Sequence, residues 1–215
     1  MPHTPRPSTS QAPTSRAMAA RPRVSTRRPS PRAMRPGATL TSVIDTAIRL
    51  AKDGTLDAIE AVVAAAANVT DWRTGLGTLR AAVEPFDTVG PQYRQPAKDA
   101  RIPSRTKSIE ELPIALGMLV AANGDYRESV LGSINYGRDS DSIAVMAGSI
   151  AGALGGVGVV PAEWIDGVSE GSRMDITATG PVIASVARDV WAADAARARQ
   201  VEEARGVFEA DLEVA

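Results

Sequence analysis

From Leu40 onward, apolar residues return every third or fourth position, and no stretch alternates convincingly as a half-buried strand would. Val43, Ile44, Ala47, Ile48 and Ala51 form one such stripe, and Gly54 stands where a helix C-cap glycine belongs. Ile59, Val62 and Val63 form a second stripe, on a helix from about Leu56 to Ala67. Trp72, Leu76, Leu79 and Val83 form a third, which Thr70 or Asp71 can cap. Hydrophobic residues make up 44% of the chain but aromatics only 4%. The core must therefore be filled by Ala, Val, Leu and Ile, a palette that favours helix over sheet. The fold class predicted is all-α.

Periodicity lapses from Glu84 to Arg105, where Pro85, Gly90, Pro91, Pro96 and Pro103 mark a long loop of the kind that often serves function. It resumes after Ser108-Ile109-Glu110-Glu111, which has the form of a capping box. Pro113 lies deep for that start and moves the expected helix N-terminus toward Leu112. This helix closes at Asn123-Gly124. Asp125 caps the next, with Val130 and Ile134 inward, and another runs from about Ser142 to Leu154. Pro161 opens a short helix carrying Trp164 and Ile165, and Val182, Ile183, Val186 and Val190 mark one more. The last, about Asp194–Leu212, is charged almost all round and reads as a solvated terminus. Trp72, Trp164 and Trp191 sit on apolar stripes and are expected in the core.

Residues 1–39 are a different object from residues 40–215. They hold eight of the chain's fifteen prolines and eight of its arginines, with no acid, so the rest of the chain is clearly acidic. Such a segment buries too little apolar surface to offset its ordering entropy, and it is expected to be disordered. A basic arm could meet nucleic acid, an anionic membrane or an organelle import system. It has no aromatic to stack on a base, which argues against nucleic acid. Text of this composition also arises from a misplaced start or a frame shift, the reading preferred here. The chain has no cysteine, which excludes disulfides and cysteine-based zinc sites and is compatible with the cytoplasm, the location expected. No apolar run reaches the roughly 20 residues of a membrane helix, so no membrane partner is expected.

The chemistry concentrates in Leu131-Gly132-Ser133-Ile134-Asn135-Tyr136-Gly137-Arg138-Asp139-Ser140-Asp141-Ser142-Ile143-Ala144. Asp139 and Asp141 stand two apart with Ser142 directly after them, three hard oxygen donors that suit Mg²⁺ or a similar ion. Gly137 permits the unusual backbone turn that would let them converge. The opening helix turn also favours anions such as a substrate phosphate. An ordinary N-cap uses the same residue types, and the short Asp-x-Asp-Ser pattern alone reads as a cap. Behind it, Ala144, Ala147, Gly148, Ala151 and Gly152 recur at helical spacing and would let this helix lie close to a neighbour.

The wider text resembles the C-terminal signature of the ADP-ribosylglycohydrolases. There, an Asn-x-Gly-Gly-Asp-x-Asp-Thr loop precedes an Ala/Gly-rich helix; here Arg138 replaces the second glycine and Ser142 the threonine. Arg105–Leu116 is similar to the family segment leading into the preceding helix, and Val160-Pro161-Ala162-Glu163-Trp164-Ile165 to its usual follow-on. The resemblance covers roughly Leu40–Ala192. It implies an orthogonal all-helical bundle, here incomplete, that binds two Mg²⁺ ions and hydrolyses the glycosidic bond between ADP-ribose and a modified protein or small molecule. By resemblance Asp139, Asp141 and Ser142 are metal ligands. Gly137, Arg138, Tyr93 and Arg105 are candidates to contact substrate, and Glu110 and Glu111 could line the site or answer to their helix dipole. The family's other ligands come from a Thr/Ser-Asp-Asp motif, and no Asp-Asp pair occurs in these 215 residues. The expectations that follow are a partial metal site, little or no autonomous activity, and a missing N-terminal half or self-association to cover exposed apolar faces around Ala144–Leu154. A non-catalytic module that binds ADP-ribose or a partner is the alternative.

Overall fold

The computed structural model describes residues 29–86 and 105–213. Among them are nine α-helices and no strand: α1 Pro29–Ala33, α2 Leu40–Leu50, α3 Asp53–Ala66, α4 Trp72–Val83, α5 Arg105–Ala121, α6 Tyr126–Tyr136, α7 Ser140–Gly155, α8 Ala162–Ser172 and α9 Thr179–Glu213. The chain divides into two compact units, residues 1–154 and 155–215.

In the first unit α5 is the central helix, packed against α2, α3, α4 and α6. It earns that place by composition. Leu112, Ile114, Ala115, Leu116, Met118 and Leu119 are all at most 2% exposed, so α5 is apolar nearly all round and has to be surrounded. The neighbours each contribute one stripe: Val43, Ile44 and Ala47 from α2, Ile59 and Val62 from α3, Leu79 and Val83 from α4. Burying a side chain of this size contributes about 1.5–3 kcal/mol against leaving it in water. Close approach depends on glycine. A Cβ at Gly117 would stand 2.6 Å from Val62 Cγ1, and one at Gly132 would stand 3.0 Å from Met118 Sδ and 3.1 Å from Trp72 Cγ.

The small-residue helix α7 behaves as its spacing predicts. Ile143, Ala147, Ile150 and Ala151 join the core, and a Cβ on Gly148 would meet Val130 Cγ2 at 3.2 Å. Asp71 and Asp125 cap α4 and α6, accepting from Arg73 N and Glu128 N.

Four sequence expectations are corrected. Ordered helix reaches back past Leu40: α1 begins at Pro29, and Ala33 is buried against the core. Gly54 is not a C-cap; it lies within α3, and the left-handed residue of that junction is Asp53, at φ 51°. The start of α5 is not near Leu112 but at Arg105, so Pro113 sits inside it and leaves the Ile109 carbonyl without its helical donor. Finally, the helix expected around Val182–Val190 and the charged terminus after it are one continuous helix, α9, on which Trp191 is 74% exposed and not part of the core.

In the second unit, α8 ends with Arg173 in the left-handed region, and Trp164 and Ile165 are half-buried. Among the described residues no helix is long and apolar enough to cross a membrane.

Candidate functional site

The site grows from the junction between α6 and α7. Gly137 closes α6 at φ 79°, and Arg138 follows at φ 58°, two successive left-handed residues that reverse the chain sharply. A Cβ on Gly137 would touch nothing within 4 Å, so the glycine is needed for its conformation and not for space. Arg138 has no such freedom, and its φ costs about 1–2 kcal/mol.

What holds Arg138 there is Glu110. This carboxylate, 3% exposed near the start of α5, gathers partners from three elements. Arg80 Nη1 of α4 donates to Oε1 at 2.7 Å, the Tyr136 hydroxyl at the end of α6 donates to Oε1 at 2.8 Å, and Arg138 Nε donates to Oε2 at 2.8 Å. One buried acid thus faces two guanidinium groups, as a buried charge requires. Burial pushes the Tyr136 phenol above its ordinary value, so it remains a donor.

Directly after Arg138, the Asp139 carbonyl accepts from Ile143 N at 3.1 Å, which places Asp139 at the N-cap position of α7. Its Oδ1 accepts from the Ser142 hydroxyl at 3.0 Å. Asp139 and Ser142 are half-buried, and Asp141, in the first turn of α7, is exposed. The structure therefore brings two of the three predicted metal ligands into contact and leaves the third on the open face of the same turn. These are hard oxygens of the kind Mg²⁺ takes, but they are few. Among the described residues no group of three or more His, Cys, Asp or Glu side chains could hold a metal ion. The donors fit such an ion in kind and fall short of a near-octahedral shell in number.

The other predicted contacts separate. Gly137 and Arg138 belong to the junction itself. Arg105 opens α5, but its side chain lies outside what is described, and Tyr93 lies outside the described residues altogether. The sequence reading left Glu110 open between site and dipole and passed over Arg80 and Tyr136. One signal was available: Glu110 shares a helix face with Ile114, Gly117 and Met118, all turned to the core, and an acid in that register needs a cation.

A second polar cluster joins α4 to α6. Trp72 Nε1 donates to Glu128 Oε2 at 2.7 Å, and Arg73 Nη1 reaches the same oxygen at 3.0 Å while its guanidinium carbon lies 4.3 Å from the centre of the Trp72 ring. The indole hydrogen bond, then Arg73, hold the Glu128 carboxyl below its usual range.

The family model described as ADP-ribosylglycohydrolase matches residues 8–200. An ADP-ribosylarginine hydrolase, Tri1, from Pseudomonas putida (strain GB-1) is 35% identical over 78 residues, 36% of this chain and 20% of that protein. An uncharacterized protein of Archaeoglobus fulgidus is 33% identical over 72 residues, 34% of this chain and 23% of the relative. The chain thus spans about a fifth of the length of the curated relatives it matches. No solved structure gives a significant match.

Proposed function

The chain belongs to the ADP-ribosylglycohydrolase family, and on that footing we propose that it carries one side of a site that hydrolyses a glycosidic bond to ADP-ribose. Asp139, Asp141 and Ser142 are the donors it would offer to a divalent cation, with Mg²⁺ the ion suited to hard oxygens. Such an ion, when bound, supplies a Lewis acid that orients ribose hydroxyls and lowers the pKa of water. The chain's own residues do the positioning. Glu110 holds Arg138, Arg138 and Gly137 set the turn, and the turn delivers Asp139 to the head of α7. The observation that carries this reading is the contact between Asp139 Oδ1 and Ser142 Oγ at the end of a turn pinned by a buried ion pair.

With so few donors among the described residues, the junction would hold the ion weakly and turn over little or no substrate. The substrate would be an ADP-ribosylated protein or small molecule; the Pseudomonas relative's name points to the arginine-linked class. Release of free ADP-ribose from ADP-ribosylated arginine, measured with and without Mg²⁺, tests this. The expected result is a trace that rises with Mg²⁺ and vanishes in Asp139→Ala/Asp141→Ala. Hydrolysis indifferent to both Mg²⁺ and that double variant would remove the basis of the proposal.

A second reading, a module that binds ADP-ribose or a partner without cleaving anything, is favoured by the absence of a three-carboxylate cluster among the described residues. Equilibrium binding of ADP-ribose with no turnover at any Mg²⁺ concentration selects it.

A further inference from the structure

The first two helices enclose an open groove of about 530 Å³ that the proposed site does not use. Arg32 and Arg35 line it from α1 and the turn after it, and Arg49 lines it from the last turn of α2. The one acid among its lining residues is Asp45, one turn before Arg49. None of the three arginine side chains makes an ion pair or hydrogen bond with a described residue, in contrast to Arg73, Arg80 and Arg138, which are all engaged. Guanidinium groups stay charged at any physiological pH, so the residues lining the groove carry a surplus of two positive charges that no described residue neutralises.

Its other polar groups are already committed. Ser42 Oγ donates to the Thr39 carbonyl at 2.8 Å, and Thr46 Oγ1 donates to the Ser42 carbonyl at 2.8 Å. Recognition in the groove therefore falls to the arginines. No aromatic ring lines it, so a base would find nothing to stack on. The position is not arbitrary either: Ala33, between the two α1-side arginines, is buried against the core, and the Thr39–Ser42 capping box fixes the entry to α2. The arginines thus project from anchored backbone.

The geometry points to an anion site for a diphosphate group, built from Arg32, Arg35 and Arg49, whose forked donors match phosphate oxygens in pairs. Asp45 limits its affinity by repulsion. The site does not depend on the hydrolase reading, because none of its residues belongs to the α6–α7 junction.

Calorimetric titration of the full chain with inorganic pyrophosphate, at low ionic strength and without divalent metal, tests the assignment. Saturable one-to-one binding is expected. Arg32→Gln/Arg49→Gln should weaken it by about tenfold or more, the loss of charge-assisted hydrogen bonds, with helical circular dichroism unchanged because these side chains make no hydrogen bond or ion pair with a described residue. Asp45→Asn should tighten binding. A variant with Arg6, Arg16, Arg21, Arg23, Arg27 and Arg28 all changed to Gln should bind as the parent does. Absent binding, binding unaltered by Arg32→Gln/Arg49→Gln, or binding lost with the six earlier arginines would each overturn the proposal. So would a short oligodeoxynucleotide that displaces pyrophosphate from the groove at lower concentration, which would assign it to a nucleic-acid backbone instead.

Discussion

Arg138 Nε lies 2.7 Å from Oε1 of Glu110, and the two side chains are only 11% and 4% exposed. This pair ties the turn before α7 to the central helix α5, across 28 positions of sequence. It also accounts for a non-glycine residue in the left-handed region at the most delicate point of the chain. The strain there is about 1–2 kcal/mol, whereas leaving one member of a buried ion pair alone costs about 3–5 kcal/mol. The pair wins, and the turn is held.

Removing Glu110 should therefore be severe. Glu110→Ala leaves two largely buried guanidinium groups, Arg80 and Arg138, without their shared acid and is expected to lower stability by about 3–5 kcal/mol. Urea unfolding gives the measurement, as a lower midpoint at similar slope. A loss under 1 kcal/mol would mean that water already screens the pair.

Two substitutions at Arg138 separate the ion pair from the backbone. Arg138→Ala and Arg138→Gly both abolish the contact with Glu110, but only glycine accepts φ 58° without strain. The glycine variant should be the more stable by about 1 kcal/mol, read as a difference between urea midpoints. Equal stability would show that the turn relaxes once the arginine is gone.

Alkaline pH should find Tyr136. Burial raises its pKa in the folded chain above the ordinary 10.0. The folded state then binds a proton that the unfolded state gives up, so this contribution is complete below about pH 10 and is lost as pH rises further. Thermal melts between pH 8 and about 11.5 should show the parent falling more steeply than Tyr136→Phe. That variant should be less stable by about 1 kcal/mol at neutral pH, the usual value of one hydrogen bond.

These relationships show where the sequence was readable and where it was not. The stripes of α2, α3 and α4 could be seen because each helix buries a single face, and periodicity is the trace of a single face. The boundaries of α5 could not. Its apolar surface runs nearly all round, and a capping-box pattern at Ser108 competed with a helix that begins at Arg105. The α6–α7 junction was legible as a turn followed by oxygen donors because Gly137, Asp139 and Ser142 are local signals. Its anchor was not, since the pairing of Glu110 with Arg80, Tyr136 and Arg138 joins positions 26–30 apart. Trp191 misled for the converse reason. An apolar stripe marks a face able to be buried, and on α9 that face stays open.

Acid should loosen the latch between α4 and α6. The Trp72 indole and Arg73 hold the Glu128 carboxyl below its ordinary 4.5. The stabilisation is present above that value and disappears as pH falls through the lower folded value. Glu128→Gln should thus be less stable than the parent at pH 7, and the two melting temperatures should converge as pH drops below about 4. Glu128 is partly exposed, so salt should shrink the gap as well. Curves that stay parallel down to pH 3 would assign the latch to packing around Trp72.

The donor set at the head of α7 can be divided by chemistry. Asp139 serves α7 as an N-cap residue, and asparagine fills that role nearly as well as aspartate. Asp139→Asn should therefore keep the stability of the parent within about 0.5 kcal/mol, while Asp139→Ala loses about 1 kcal/mol. A cation ligand is judged differently, because the amide carries no charge and binds Mg²⁺ or Mn²⁺ far less well. If the junction is a metal site, Asp139→Asn should abolish the Mn²⁺ broadening of nuclear magnetic resonances from Ser140–Ile143 while leaving the melting temperature intact. Ser142→Ala, which removes the hydroxyl that donates to Asp139 Oδ1 at 3.0 Å, should weaken the broadening without eliminating it. Broadening that persists undiminished in Asp139→Asn would leave Asp139 with the capping role alone.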